Sequence, residues 1–268
     1  MLIDTYSTSN YWYAVAVSLM CRLLGMRYIP ILHGGNLPSR LRNKTLSRMV
    51  FGHAFCCVAP SRYLAGRFEA SGFDVRYVPN PVDLTAFAFK QRDNVRPNLI
   101  WVRSLSTIYN PMMALLALKE LDDPKARLLM VGYDGGWLSQ LRSFAQSNGL
   151  DVAFSGRLTQ QQWAARAANC DIFLNTSQVD NAPFSLIEAL SLGLYVVSTN
   201  VGGIPYLVRD GQEAILVSPG DYAGMAAGIK RILADAELRS VLTHNGCKLV
   251  EECSSAKVIG QWRQILGT

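Results

Sequence analysis

Short runs of apolar residues alternate along the chain with longer stretches that have the apolar period of helices. In the first part, β-branched and aromatic runs predict strands at 2–6, 28–34, 54–61 and 75–80. A second series of predicted strands covers 99–102, 127–132, 152–156, 171–177, 195–200 and 214–218. Strands that alternate with helices indicate parallel βαβ units. The pattern therefore predicts an α/β protein with two parallel sheets.

Two segments belong to neither series. Residues 84–98 are less periodic and contain charges and Pro97, which predicts a connector between the sheets. The last stretch, SAKVIGQWRQILGT, has an amphipathic helical pattern. Its apolar side consists of Val258, Trp262, Ile265 and Leu266. We expect this helix to pack back across the cleft between the sheets, where ligands of such proteins bind.

Composition limits the class of protein. Half of the 268 residues are hydrophobic and 17% are charged, which is typical of a folded, soluble protein. No apolar run approaches the ~20 residues that cross a bilayer. The apolar run AVAVSLMC has no cleavage-site pattern behind it, so no signal peptide is predicted. The six cysteines show no CxxC pair and no metal spacing with His, which favours a reduced, cytoplasmic protein.

Positive charge is concentrated in the first third of the chain. Residues 1–97 contain 12 Lys and Arg against 5 Asp and Glu, whereas the whole chain has a net charge of +6. Part of this excess lies in residues 38–51, as Arg40, Arg42, Lys44 and Arg48. This basic segment predicts a face for an anionic membrane surface or an acidic acceptor, or else an ordinary solvated helix face. Nucleic acid is not an expected partner, because no reading motif accompanies the charge.

The most informative segment, DNAPFSLIEALSLG, begins at Asp180 and follows a predicted strand. Asn181 and Pro183 can start a helix that Gly193 ends. A helix N-terminus at the carboxyl end of a parallel strand offers free amides to a phosphate. Glu188, among apolar helix positions, is suited to ribose hydroxyls, and Asp180 to hydroxyls at the other end of a ligand. Taken singly, each is equally explained as a capping Asp or an incidental Glu.

This segment and the stretch behind it resemble the donor-binding half of family 4 glycosyltransferases of GT-B fold. The shared motif is an acidic residue, seven further residues, a glutamate and then a GGIP loop. Here it reads Asp180-NAPFSLI-Glu188, followed by SLGLYVVSTNVGGIPYLVRDG. Further similar stretches are ILHGG, APSRYLAGRFEASG, YVPNPVD and LLMVGYDGGWLSQLRSFAQSNGLDVAFSGRL. The resemblance implies Rossmann-like domains at 1–97 and 98–252, with a helix at 253–268 that packs on the first domain.

The resemblance also implies roles for residues of the site. Glu188 would contact the ribose of a sugar nucleotide, and Asp180 the donor sugar. His33, in ILHGG, would face the reacting centre from the first domain; without the family it would be a structural histidine beside a turn. The rest of the donor site, with amides that hold the diphosphate, would comprise Asn181, Ala182, Pro183, Phe184, Ser185 and Gly132.

One departure from the family pattern concerns the cations that neutralise the leaving diphosphate. Many members place an Arg and a Lys after the first strand of the second domain. Here Arg103 stands about one position away from that Arg, and Tyr109 occupies the place of the Lys. Arg157 is the nearest alternative cation. Because no Asp-x-Asp or His cluster is present, we expect transfer without a metal or other cofactor.

A second departure lies at the start of the chain. The sequence begins at a position that resembles the middle of the first domain, so its first strands and glycine-rich loop are expected to be absent. Either the chain is a fragment of a longer protein, or it is a naturally short relative with a reduced acceptor domain. A sheet without these strands would expose an edge and an apolar face, which predicts self-association or a partner that supplies them.

Together these features predict a retaining glycosyltransferase that uses a nucleoside-diphosphate sugar. Its acceptor would be a carbohydrate or a lipid-linked molecule in polysaccharide or lipopolysaccharide synthesis. The protein would be cytoplasmic, or peripheral on the inner face of the membrane. The alternative is a sugar-nucleotide-binding module without a complete acceptor site. A third, weaker interpretation is an epimerase, which would require further acid and base residues.

Overall fold

The computed structural model describes residues 1–267 and contains two sheets whose strand pairs are all parallel. The first sheet has the order β1-β2-β3-β4. Its strands are β1 (Leu2–Thr5), β2 (Ile29–Leu32), β3 (Cys57–Ala59) and β4 (Val75–Tyr77). Its helices are α1 (Tyr11–Leu23), α2 (Lys44–Phe51) and α3 (Arg62–Glu69), and a 3₁₀ helix covers Leu37–Arg42.

The second sheet has six strands in the order β10-β9-β8-β5-β6-β7. They are β5 (Asn98–Val102), β6 (Arg127–Val131), β7 (Val152–Gly156), β8 (Ile172–Asn175), β9 (Tyr195–Thr199) and β10 (Ile215–Val217). From β5 the chain proceeds to β6 on one side, whereas β8 pairs with β5 on the other. The order therefore reverses between β5 and β8, and in such sheets ligands bind in the crevice beyond the strand ends at this position.

Seven helices follow the strands of the second sheet, and apolar side chains fill the space on both of its faces. The helices are α4 (Pro111–Leu121), α5 (Leu138–Ser147), α6 (Gln160–Ala167), α7 (Phe184–Ser191), α8 (Ile204–Leu207), α9 (Tyr222–Ala234) and α10 (Ala236–Glu252), with a 3₁₀ turn at Thr107–Tyr109. Every residue of β8 and β9 is buried. This burial explains why these strands have apolar runs rather than alternating patterns.

The predicted α/β class is confirmed, and each predicted strand overlaps an observed one. Most observed strands are shorter than predicted; the strand predicted at 54–61 covers only Cys57–Ala59, because Ala54 and Phe55 lie in a bend and Ser61 caps α3. In contrast, β5 begins one residue earlier than predicted, at Asn98.

The helix expected to start at Asn181 begins at Phe184 instead, with Pro183 at its N-cap, because the Asn181 side chain accepts from Ser61. Two other helix starts carry capping signals of the sequence. Thr159 caps α6 with a reciprocal capping box to Gln162, and Asn110 directly precedes Pro111 at the start of α4.

The predicted connector has no regular helix or strand between 84 and 97, yet it is anchored on the second sheet. The Phe87 ring is buried, 5.6 Å from the ring of Trp163. Arg92 is also buried, and its guanidinium donates to the carbonyl oxygens of Cys170 and Leu192 at 2.9 and 2.6 Å. Single buried residues such as Phe87 and Arg92 do not recur at a regular spacing, so the hydrophobic pattern indicates only a linker here.

The final helix, α11 (Ser255–Leu266), packs on the first sheet. Val258 is buried against side chains of β2 and β3, and Trp262 and Ile265 pack at the edge of the same cluster. Leu266, expected on this apolar side, is instead 52% exposed, so that part of the prediction is wrong. Among the helices of residues 1–267, none combines the length and the hydropathy of a bilayer-spanning segment.

Candidate functional site

The loops after β5 and β8 meet where the strand order reverses. Arg103 directly follows β5, and Asp180 lies in the loop between β8 and α7. The guanidinium Nη2 of Arg103 donates to Oδ2 of Asp180 at 2.9 Å, and the two side chains are only 18% and 16% exposed. The ion pair holds both groups at the mouth of the crevice.

Arg103 has two further neighbours in the predicted site. Its guanidinium lies 5.2 Å from the ring centre of Tyr109, and its positive charge acts to lower the pKa of Glu188. Its Nε is buried and has no hydrogen-bond partner among residues 1–267. A buried N–H without an acceptor is costly, so this donor is available to an anion.

Glu188 projects from α7 and is 8% exposed. Burial raises the pKa of its carboxyl group, while a hydrogen bond from Gln160 and the charge of Arg103 act in the opposite direction. Oε1 of Glu188 accepts from Nε2 of Gln160 at 2.5 Å. Gln160, the first residue of α6, was not predicted, because a glutamine beside a capping threonine is an ordinary helix start.

The start of α7 is open to an anion. Pro183 occupies the N-cap position and provides no side-chain cap. The amides of Phe184 and Ser185 have no acceptor among residues 1–267. The Ser185 hydroxyl is also buried there without a partner. Free amides, an unpaired hydroxyl and the positive end of the helix together make a phosphate-binding arrangement.

Glycines allow three backbone segments to meet around Asp180. A Cβ on Gly202 would lie 2.0 Å from the carbonyl oxygen of Asp180, and a Cβ on Gly35 of the first domain would lie 2.6 Å from the same atom. A Cβ on Gly132 would lie 1.7 Å from the carbonyl oxygen of Arg103. Gly132, predicted as a donor contact, thus lies directly against the backbone of Arg103.

The first domain contacts the segment after Asp180 through side chains as well. The Ser61 hydroxyl donates to Oδ1 of Asn181, and Nδ2 of Asn80 donates to the carbonyl oxygen of Ala182 at 2.8 Å. Asn181 and Ala182 are both buried. Neither Ser61 nor Asn80 was assigned a role from the sequence, because only the fold reveals that they face the other domain.

His33 lies at the end of β2, two residues before Gly35. Its Nε2 lies 2.9 Å from Oδ1 of Asp4, and its ring stacks on Tyr6 at 4.8 Å. These partners fix the orientation of the imidazole. A role for His33 at the reacting centre stays a prediction.

Two predicted features do not join this cluster. Arg157 is exposed at the end of β7 and forms no salt bridge within the described residues. Arg40, expected on a basic face, is partly turned inward: its Nε donates to the carbonyl oxygen of Ser7 at 2.9 Å, and its guanidinium lies 4.8 Å from the ring centre of Tyr11. Within residues 1–267, no three His, Cys, Asp or Glu side chains lie close enough together to hold a metal ion.

Replacing Gly35 with alanine should loosen the contact between the domains. The new methyl group would meet the Asp180 carbonyl, which belongs to the backbone and cannot swing away. Overpacking of this kind costs about 1–3 kcal/mol. Thermal unfolding measures the loss. Gly66→Ala is the comparison, since Gly66 lies in α3 with nothing within 4 Å of its Cβ position and alanine is the better helix former, so that this change should keep or raise the stability. A Gly35→Ala variant as stable as the wild type would contradict the packing described here.

Replacing Glu188 with glutamine should stabilise the chain at neutral pH. A carboxyl group whose folded pKa is raised destabilises the folded state as the pH rises through that pKa, because its buried charge then forms. Glutamine keeps an oxygen for Gln160 and removes the charge. We expect a higher melting temperature than that of the wild type at pH 8; in a chain of this size each ~1 kcal/mol corresponds to about 2–4 °C. The gain should shrink toward pH 4.5; a gain independent of pH would contradict this explanation.

Residues 85–249 match the family model of glycosyl transferases group 1. Curated relatives include the sulfoquinovosyl transferase SQD2 of Arabidopsis thaliana, 30% identical over 44% of this chain and 23% of its own length. The lipopolysaccharide core biosynthesis glycosyltransferase LpsE of Rhizobium meliloti is 30% identical over 44% of this chain and 36% of its own length. The matched part therefore spans well under half of either relative.

Solved structures show the same fold over nearly the whole chain. The crystal structure of Anabaena HepE in complex with UDP superposes with a TM-score of 0.83 and 19% identity, covering 99% of this chain and 78% of that one. The architecture is thus that of the GT-B glycosyltransferases, with two Rossmann-like sheets facing a cleft.

Proposed function

Because the chain belongs to the group 1 glycosyl transferases, we propose that it transfers a sugar from a nucleoside-diphosphate sugar to a hydroxyl group of an acceptor, with retention of configuration. One observation carries the proposal: Arg103, Glu188 and the open start of α7 meet at the point where the strand order reverses. The cation and the free amides suit the diphosphate of a sugar nucleotide, and the carboxylate of Glu188 can accept hydrogen bonds from its ribose hydroxyls.

The sugar nucleotide would lie with its ribose against Glu188 and its sugar against Asp180. Glu188 would accept hydrogen bonds from the ribose, and the amides of Phe184 and Ser185 would bind the diphosphate together with the free Nε of Arg103. Asp180 would accept from hydroxyls of the donor sugar. HepE was crystallised with UDP and with UDP-glucose, so we propose a uridine nucleotide as the first donor to test.

The chemistry would proceed by departure of the diphosphate. As the bond between the anomeric carbon and the phosphate oxygen breaks, negative charge grows on the phosphate, where Arg103 and the amides of α7 would stabilise it. Asp180 would lie beside the sugar as positive charge develops on it. The acceptor oxygen would then form the new bond, and its proton would leave with the diphosphate.

The acceptor and the cellular setting are proposals drawn from the relatives. LpsE is named for lipopolysaccharide core biosynthesis and the Staphylococcus aureus relative CapM for capsular polysaccharide biosynthesis. We propose a carbohydrate or lipid-linked acceptor in synthesis of this kind. Metal-independent transfer and a cytoplasmic location stay predictions.

Membrane attachment and self-association also stay predictions. Attachment of residues 38–51 to an anionic membrane would depend on Arg42, Lys44 and Arg48, because Arg40 has partners of its own. Self-association would use the outer side of α1 and strand β1, which among residues 1–267 pairs only with β2. On α1, Tyr13 and Leu23 are 74% and 85% exposed.

Consumption of a sugar nucleotide tests the proposal. The chain is incubated with UDP-glucose, GDP-mannose and ADP-glucose, and release of the nucleoside diphosphate is followed with water or added saccharides as acceptor. We expect one donor to be consumed and the sugar product to appear first as the α-anomer. Binding without consumption would favour the binding-module interpretation, and a β-anomer would overturn retention.

A further inference from the structure

A second concave surface begins where the first domain contacts Asp180. It is a groove of about 500 Å³ between the loop and 3₁₀ helix that follow β2 and the helix α3. Gly35 lines the end of the groove near Asp180, and Tyr63 lines its wall. The Tyr63 ring lies 5.6 Å from the ring of Tyr206, which belongs to the second domain. One end of the groove therefore lies beside the segment that carries Asp180.

Two arginines at the far side of this groove have no anionic partner. Arg42 ends the 3₁₀ helix and Arg67 lies one turn beyond Tyr63 on α3, and both line the groove. Within residues 1–267, neither forms a salt bridge or a cation–π contact. No Asp or Glu is among the residues that line the groove. Their two charges thus face a concave surface that contains no carboxylate.

The two other arginines on the same elements, Arg40 and Arg62, do have contacts within the protein. Arg40 donates to the Ser7 carbonyl oxygen and covers the Tyr11 ring. Arg62 lies 4.7 Å from the ring centre of Tyr77. Of the four arginines on these two elements, two are occupied by the protein itself, and the two without partners are those of the groove.

We infer that the groove binds the acceptor, and that the acceptor carries an anionic group, a phosphate or a carboxylate, which Arg42 and Arg67 hold. This inference rests on the proposed transfer function. Guanidinium groups bind both anions through paired hydrogen bonds.

Binding of small saccharides by the whole chain tests this assignment. The probes are glucose 6-phosphate and glucuronate, which are anionic, and methyl glucoside, which is neutral; each is titrated with UDP in excess, so that the proposed phosphate site at the start of α7 is occupied. The groove variant carries Arg42→Gln and Arg67→Gln. The control variant carries Arg22→Gln and Arg48→Gln, which remove the same charge from exposed positions on α1 and α2. Thermal unfolding confirms that both variants fold.

We expect the wild type to bind an anionic probe at least ~10-fold more tightly than methyl glucoside. That preference should disappear in the groove variant and persist in the control. Equal binding of charged and neutral probes by the wild type, or a preference that survives in the groove variant, would overturn the inference. So would binding to phosphatidylglycerol vesicles through Arg42 and Arg67 without binding of either soluble anion, because the arginines would then contact lipid.

A parallel titration with UDP separates this inference from the proposed function. If UDP binds and the anion preference is absent, the groove assignment fails alone. If the preference depends on Arg42 and Arg67 but no nucleotide binds and no donor is consumed, the anion site stands and the transfer function fails.

Discussion

Replacing Arg103 with methionine should slow release of the nucleoside diphosphate from a sugar nucleotide by about 10²–10³-fold, the usual cost of removing one donor to a developing oxyanion. Arg103 carries the only positive charge that the structure places against both Asp180 and Glu188 within residues 1–267. Methionine retains much of the aliphatic length and the packing against Tyr109 while it removes every N–H. The rate of donor consumption at saturating sugar nucleotide measures the effect.

Arg157→Met is the matched comparison, because Arg157 is the other cation that the sequence offers for the same task. It is exposed and forms no salt bridge among the described residues, so its loss should slow the reaction far less than the loss of Arg103. Arg103→Lys should fall between wild type and methionine, since lysine keeps the charge but not the forked donors. If Arg157→Met were slower than Arg103→Met, the cation that stabilises the leaving diphosphate would be Arg157 instead of Arg103.

Replacing Asp180 with asparagine should separate nucleotide binding from transfer. Asparagine has the same shape, but it cannot neutralise Arg103 and has one acceptor oxygen fewer for sugar hydroxyls. UDP should therefore bind as tightly as before, or more tightly, because a negative charge leaves the neighbourhood of the diphosphate. Donor consumption should fall by about 100-fold, as lost hydrogen bonds and lost charge complementarity together cost ~3 kcal/mol.

The control for this change is Asp235→Asn, in the same domain but at the N-cap of α10, where its carboxylate accepts from the amide of Leu238. Asparagine caps helices as well as aspartate does, so stability and donor consumption should both stay near wild type. If Asp180→Asn weakened UDP binding as much as it slowed consumption, Asp180 would be a structural partner of Arg103 rather than a sugar contact.

The sequence predicted the two sheets and the helix that carries Glu188 because both depend on local signals. Apolar runs with turns at their ends predict parallel strands, and the spacing between Asp180 and Glu188 places one carboxylate before a helix and the other on it. The start of α7 was predicted only to within a few residues, since the helix begins at Phe184 rather than at Asn181. Capping chemistry and hydrophobic period are properties of neighbouring residues, so these elements needed no knowledge of the fold.

The remaining contacts depend on which distant segments meet. Gln160 reaches Glu188 and Ser61 reaches Asn181 across 28 and 120 positions of the chain, and no local pattern indicates such pairs. Gly35 is an ordinary turn glycine in sequence, and only the closeness of the two domains gives it a role. The inward orientation of Arg40 could not be predicted from the sequence for the same reason, because its partners, Ser7 and Tyr11, lie about 30 positions away, before α1 and at its start.

A nucleotide site at the start of α7 is tested by calorimetric titration of the chain with UDP, GDP and ADP, repeated with Glu188→Gln. We expect one of the three nucleotides to bind, and the variant to bind it about tenfold more weakly, the effect of a lost charge-assisted hydrogen bond. Since the variant is expected to be more stable than wild type, weaker binding could not be ascribed to unfolding. Failure of all three nucleotides to bind, or equal affinity in the variant, would contradict a nucleotide site at the start of α7.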